Sequence, residues 1–370
     1  MEIPPFRIEQ FYAVHEFTAR YMLSSSDAES VAVADLLALE PDAAERLLSQ
    51  RLGYTESAGA PELRAAIAGI YETADPSDVA VVSAAEEGIF TAYHALLRPG
   101  DHAVVETPCY ESALQVARSA GAEVTPWQRS AANGWAHDLD ALERALRPGT
   151  KLVYINTPHN PTGSQMPFEV LDRVVELCAE RRAWLFCDEV YRELEHDPGR
   201  RLPAACDLYD KALSLGSMSK TYGLPGLRLG WLASRDRDAL AKIVDLKHYT
   251  TICSSAPSEF LSALALRHRH TLADRNRSIV LENLPLLDAF LDRHADRLSW
   301  TRPAAGPIGF PLVHDVADTT HFCDQVVAAT GVLLLPGAVY DEPDHIRMGF
   351  GRLNMPEALD RFESWLDTRS

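Results

Sequence analysis

The densest concentration of reactive side chains in this 370-residue chain is the segment Ser217-Met218-Ser219-Lys220-Thr221-Tyr222-Gly223-Leu224-Pro225-Gly226-Leu227-Arg228. A lysine bounded by small hydroxyl residues, after an apolar run and before a glycine-rich turn, suits a nucleophile that needs close approach. Its amine can form a Schiff base with a carbonyl compound, and partial burial lowers its pKa so that the neutral amine is available. Ser217 and Ser219 add hydroxyl donors and Arg228 a forked cation, a set suited to phosphate. Read alone, the segment fits an exposed loop with a solvated lysine equally well. Two further segments stand upstream. Asn156-Thr157-Pro158-His159-Asn160-Pro161-Thr162-Gly163 carries Asn-Pro and Thr-Gly turn signals. Phe186-Cys187-Asp188-Glu189-Val190-Tyr191 ends an apolar run on an aspartate, where a helix N-cap is the ordinary alternative to a catalyst.

These segments need elements to position them. Between about residues 79 and 235, β-rich runs alternate with amphipathic helical patterns. The runs are Val79–Val82, Ala103–Glu106, Lys151–Asn156, Ala183–Asp188, Ala212–Leu215 and Leu229–Ala233. Phe168–Glu180 reads as a helix with Val170, Leu171, Val174, Val175 and Cys178 on one face. Such alternation predicts an α/β domain with a mostly parallel central sheet sandwiched by helices. In sheets of that kind ligands sit beyond the carboxyl ends of the strands, where nearly all the unusual polar residues fall.

The flanks lack strict alternation. Residues 1–40 read as a helix and a loop, Ser24-Ser25-Ser26. After a long helical region come runs at Ile308–Val313, Val332–Leu335 and Ile346–Phe350. A final helix starts near Asn354, with Pro356 in its first turn and Glu357 completing a capping box. The expected division is a large α/β domain over residues 41–270 and a small α+β domain from residues 1–40 and 271–370.

Composition removes several classes of function. The chain is 46% hydrophobic and 24% charged, a globular balance, and its formal net charge of −18 disfavours nucleic acid and anionic lipid as partners. No run approaches the roughly 18 apolar residues of a membrane helix. Six cysteines are scattered without C-x-x-C or zinc-like spacing, so a reduced cytoplasm is the expected location. No G-x-G-x-x-G follows a strand, which leaves a nicotinamide site unsupported. Among thirteen histidines no metal-binding pair stands near an acid, and no metal is expected. His159 and His248 read as structural or pocket-wall residues.

Asn-Pro-Thr-Gly, then Asp-Glu-x-Tyr, then Ser-x-Ser-Lys, then Arg228, in this order, resembles the class I/II aminotransferases of the fold-type-I pyridoxal-phosphate (PLP) enzymes. The resemblance runs roughly from Leu52 to Arg352. It implies PLP as cofactor, bound as an imine to Lys220, and Asp188 as the carboxylate paired with the pyridine nitrogen. That pairing keeps the nitrogen protonated, so the ring can accept electrons from the substrate α-carbon. Asn160 and Tyr191 correspond to the partners of the ring hydroxyl, and Tyr110 to the aromatic that stacks on the ring. Phosphate contacts are implied at the turn Ala84, Ala85 and Glu86, where a helix N-terminus faces an anion, and at Ser217, Ser219 and Arg228. Tyr54 matches a tyrosine lent to the neighbouring subunit, which implies a homodimer with shared sites. Arg347 corresponds to the arginine that grips the substrate α-carboxylate, a planar group matched by a guanidinium fork, while its ordinary alternative is a strand-surface salt bridge.

One departure stands out. The phosphate turn reads Ala84-Ala85-Glu86-Glu87-Gly88 where the family places Gly-Ala-Ser or similar. Glu86 is expected to point outward, or to read a cationic part of the substrate. The implied function is an enzyme acting on an amino acid, foremost an aminotransferase. Ser219–Arg228, Gly331–Gly337 and Ile346–Phe350 bear a narrower resemblance to capreomycidine synthase-like members. This implies the alternative of elimination or replacement, with cyclisation of a modified arginine, and Glu86 and Glu87 could suit its guanidinium. A non-catalytic PLP-binding sensor is the reading of another class, and no basic patch precedes Tyr54 to support it.

Overall fold

Residues 2–369 are described by a computed structural model. Seven strands form the central sheet: β1 (Val79–Val82), β2 (His102–Thr107), β3 (Glu123–Gln128), β4 (Thr150–Asn156), β5 (Trp184–Asp188), β6 (Ala212–Ser217) and β7 (Gly230–Ala233). Their order is β1-β7-β6-β5-β4-β2-β3. The pairs from β3 through β6 are parallel, and β7 runs antiparallel to both β6 and β1.

All six sequence runs in this region are strands. β3 was not foreseen. It is an edge strand carrying Pro126 and exposed Glu123 and Gln128, so it lacks the apolar signature of a buried strand. Strand alternation sends successive side chains to opposite faces, and both faces are covered. Val105, Leu152, Tyr154 and Phe186 pack with the helix Ala84–Leu96 on one side. Val104, Val153, Ile155, Leu185 and Cys187 pack with the helix Phe168–Arg181 on the other, through Leu171, Val174 and Leu177.

A separate core joins Tyr21 and Leu23 to residues 280–366. It holds short strands: β8 (Leu298–Ser299), β9 (Ile308–Gly309), β10 (Leu312–Val313), β11 (Leu335–Pro336) and β12 (Ile346–Gly349). The expected run Ile308–Val313 is split, with β9 pairing β12 and β10 pairing β8. Phe310 and Pro311 lie between them, and a proline offers no amide to a ladder. The run expected at Val332–Leu335 is displaced to β11, because Val332 bridges Tyr21 of the N-terminal segment instead. The last helix, Met355–Asp367, does follow Asn354, but the capping box does not form. Glu357 accepts a hydrogen bond from the Tyr21 hydroxyl and faces Arg20 and Arg361, so its carboxylate is turned away from the helix end. No described helix is long and apolar enough to cross a membrane.

Candidate active site

The carboxyl ends of β4, β5 and β6 stand side by side, with Asn156 opposite Asp188 and Asp188 opposite Leu215. Beyond them opens a cleft of about 720 Å³. Ala84, Ala85, Glu86, Tyr110, Asn160, Asp188, Tyr191, Ser217, Ser219, Lys220, Arg228 and Arg347 all line it. Tyr54 does not; it is 91% exposed and lies outside the cleft of its own chain.

Lys220 follows β6, and its Nζ donates to Ser26 Oγ at 2.8 Å. Burial pulls its amine below the ordinary lysine range; Asp27 and Asp188 oppose this and Arg347 reinforces it. Asp188 ends β5, accepting from the Val190 amide at 3.1 Å and the Tyr154 hydroxyl at 3.3 Å. Burial outweighs both bonds and pushes its carboxyl up to about 6. Asp188 forms no ion pair among the described residues, and the Lys220 amine offsets only part of the burial.

At the other end of the cleft, Ser83 turns the chain from β1 into the helix Ala84–Leu96, whose first three residues line the cleft. Ala84 takes a left-handed φ of 66° there. Gly230 opens β7 directly beneath; a Cβ on it would meet Ala84 C, Ala85 N and Gly216 O, each at 2.9 Å. Ser217 Oγ accepts from the Ser219 amide at 2.9 Å. Arg228 sits at the exposed rim, donating to the Pro225 carbonyl at 3.1 Å.

Arg347, on β12, is fully buried and makes no ion pair with a described carboxylate. Its donors go to the Ser24 carbonyl at 2.9 and 3.2 Å, Tyr12 Oη at 2.7 Å, Asn160 Oδ1 at 3.2 Å and Tyr340 Oη. The surface ion pair considered for it is therefore excluded. Gly163 brings the Asn160 turn against the segment near β9: its φ is 66°, and a Cβ would lie 2.3 Å from the Ile308 carbonyl.

Glu86 does not point outward. It lines the cleft, and burial pushes its carboxyl up to about 7, with Glu9 and Asp188 adding to the shift and Arg228 opposing it. Glu87 is spent elsewhere, accepting from the Ser83 amide and the Thr250 and Thr251 hydroxyls. The buried His159 bonds Thr162 Oγ1 and the Pro108 carbonyl, and burial lowers it to about 3. His248 is exposed, and neither histidine lines the cleft.

Several lining residues escaped sequence reasoning. The N-terminal helix Arg7–His15 supplies Glu9 and Tyr12, and the loop behind it supplies Ser26 and Asp27. Glu9 Oε1 accepts from the Tyr110 hydroxyl at 2.7 Å. Arg352 is held bidentately by Asp27 at 2.9 Å, which leaves Glu9, Glu16 and Glu86 without an ion-pair partner among the described residues. Only Tyr12 had a local cue, as an aromatic in a short amphipathic helix, and that cue says core rather than site.

The residues present fit a phosphorylated pyridine aldehyde. The cleft offers an amine held below its ordinary range, an unneutralised buried carboxylate, helix amides beside two serines, and a buried Tyr191 hydroxyl. That hydroxyl makes no well-formed hydrogen bond, although Ser26 is near enough to stabilise its ionised form.

Three comparisons bear on this geometry. Capreomycidine synthase of Streptomyces vinaceus is 33% identical, over 94% of this chain and 90% of that protein. A PLP-dependent aminotransferase from Streptococcus suis 89-1591 superposes with a TM-score of 0.93 at 32% identity, covering 100% and 98% of the two chains. A PLP-dependent cyclase superposes at 0.92 with 28% identity and the same coverage. The family profile for aminotransferase class I and II matches residues 24–362, which includes every lining residue named above except Glu9, Tyr12 and Glu16. On that match, and on a sheet edge that gathers the Lys220, Asp188 and Asn160 segments, the chain belongs to the class I and II aminotransferase family and is a PLP-dependent enzyme of amino acid chemistry.

Proposed function

We propose that this chain is an aminotransferase in which Lys220 carries the cofactor and Arg347 receives the α-carboxylate of the substrate. The observation that carries this reading is Arg347 itself, a buried cation with no carboxylate partner in the same cleft as a lysine whose charge is disfavoured. PLP, when bound, supplies an electron-accepting ring conjugated to an aldehyde that condenses with amines.

The chain's own residues do the rest. Arg347 fixes the carboxylate, and so orients the α-carbon, with a guanidinium already held by Tyr12, Tyr340 and Asn160. Lys220, kept toward its neutral form, takes and returns the proton at that carbon. Asp188, whose carboxyl burial holds high, would pair with a cationic ring nitrogen, and that charge would favour its ionised form. Asn160 and Tyr191 are assigned to the ring hydroxyl, and Tyr110 offers an aromatic face with its hydroxyl fixed by Glu9. Ala84, Ala85, Glu86, Ser217, Ser219 and Arg228 are assigned to the phosphate end, with backbone amides serving at the first three.

A second reading is favoured by a specific observation. Glu9, Glu16 and Glu86 put unpaired carboxylates on one cleft, an arrangement suited to an amino acid with a cationic side chain. Elimination followed by cyclisation of such a substrate is then the alternative, supported by the likeness to capreomycidine synthase and to a PLP-dependent cyclase.

The working form is proposed to be a cytoplasmic homodimer in biosynthesis. Its support is six free cysteines and a set of exposed apolar side chains, Leu48, Leu52, Tyr54 and Tyr249, on two neighbouring segments. Those segments are tied by Gln50 to the Ala256 carbonyl at 3.2 Å and Thr55 to the Ser254 carbonyl at 3.3 Å.

The test is spectroscopic. Purified protein is expected to show a visible absorbance band that borohydride removes, and Lys220→Ala is expected to lose it while remaining folded. A variant with an unchanged band rejects the assignment. Incubation with single amino acids then separates the two readings. A 2-keto acid product with conversion of the cofactor to its pyridoxamine form marks transamination, and ammonia or water release with the cofactor unchanged marks elimination.

A further inference from the structure

Asn156 ends β4 between the two residues assigned to the cofactor's ring nitrogen and ring hydroxyl, and its carboxamide is bonded to the main chain of both. Nδ2 donates to the Asp188 carbonyl at 2.8 Å and to the Pro158 carbonyl at 3.0 Å, while Oδ1 accepts from the Asn160 amide at 2.7 Å. A carboxamide has two donor hydrogens and one acceptor oxygen in a plane, and all of these are used.

The main chain of Asn156 is held just as firmly. Its amide donates to Glu106 Oε2 at 2.9 Å. Glu106 is fully buried on β2, and its other oxygen accepts from Arg129 at 3.0 Å and His137 at 2.9 Å. Against burial, His137 and Arg129 hold it well below the ordinary carboxylate range. Downstream, Asn160 Oδ1 accepts from Arg347 at 3.2 Å. A single connected network therefore runs from an anchored carboxylate under the sheet edge to the guanidinium assigned to the substrate.

We propose that Asn156 is a positioning residue. It sets the spacing between the Asp188 carboxylate and the Asn160 carboxamide, and through Asn160 ties that spacing to Arg347. No other side chain of its length offers this pairing. Aspartate would turn an acceptor toward two carbonyl oxygens, and leucine would orphan the Pro158 carbonyl and the Asn160 amide and leave the Asp188 carbonyl with only the Thr157 amide. The inference rests on the proposed placement of the cofactor ring between Asp188 and Asn160.

The test uses the full-length holoenzyme and its Asn156→Leu variant. The pH midpoint of the bound cofactor's visible band is titrated, cofactor affinity is measured by adding PLP to apoprotein, and the apoprotein melting temperature reports the structural cost. The expected result is a midpoint moved by about half a pH unit or more. Retention should weaken about tenfold, the size expected for orphaned buried hydrogen-bond partners. A folded variant with lowered melting temperature but an unmoved midpoint and unchanged affinity would show a purely structural residue and overturn the proposal. Should the leucine variant not fold, Asn156→Ser keeps a donor and an acceptor too short to reach both partners, and the same two outcomes apply to it. A parent protein that shows no visible band at all rejects the cofactor reading instead, so the two failures are distinguishable.

Discussion

Glu86 sets a cost that pH can reveal. In the unfolded chain its carboxyl titrates near 4.5, and in the folded protein burial raises it to about 7. The fold thus favours the protonated acid. Its contribution to stability is fully present below the unfolded value and is lost as pH rises through about 7. Asp188, raised to about 6, acts in the same direction. Buried His159, lowered to about 3, acts in the opposite direction over the same pH range, so the difference between a Glu86 variant and the parent, rather than the parent's own melting curve, isolates the acid. Glu86→Gln should recover part of the loss at pH 8 and little at pH 5, which thermal denaturation at the two pH values checks. Tyr12 permits a second test at this scale. Its hydroxyl accepts from Arg347 at 2.7 Å and donates to the Ser24 carbonyl at 3.0 Å. Tyr12→Phe should raise KM for the amino acid about tenfold, one lost hydrogen bond to a charged group, with a smaller change in kcat.

Elements decide where these side chains can stand. The first residue of β7 lies opposite both Val82 and Ser217, so the turn into the helix Ala84–Leu96 rests on Gly230. The atoms that a Cβ would strike belong to the backbone and cannot swing aside. Gly230→Ala is expected to displace the turn and weaken cofactor binding at least about tenfold, through loss of oriented amides at the anion site. Equilibrium titration of apoprotein with PLP measures this. The N-terminal helix is held across the cleft mouth by Arg7, which pairs with Glu111 at 3.0 Å and Asp341 at 2.7 Å. The Asp341 pair is exposed and worth little, whereas Glu111 is buried and keeps only the Arg7 amide once the guanidinium is gone. Arg7→Ala should lower the melting temperature and raise KM several-fold, because it loosens the element that presents Glu9 and Tyr12.

The whole molecule exposes a Tyr54 that its own cleft cannot use. Sedimentation of the holoenzyme is expected to give twice the chain mass. Leu52→Glu, on the same exposed segment, should shift protein toward monomer and reduce bound cofactor together. A monomer retaining full cofactor affinity would separate Tyr54 from the phosphate site.

What the sequence by itself determined is the sheet edge and its chemistry. Buried β runs announce themselves by composition, parallel order places their carboxyl ends together, and so Asn160, Asp188, Ser217 and Lys220 could be assigned to one neighbourhood before any coordinates. The C-terminal quarter was less legible, because its strands are two to four residues long and Val332 pairs with a segment more than three hundred residues away. Only the tertiary structure decided which way the acids face. Glu86 and Glu87 are adjacent in the chain, yet one enters the cleft and the other is consumed by Thr250 and Thr251. Glu9 and Tyr12 look like surface and core residues of a short helix, and they reach the site because Tyr110 and Arg347 hold them there. A side chain's orientation is set by distant partners that local pattern does not encode, whereas strand burial is written in the run of residues itself.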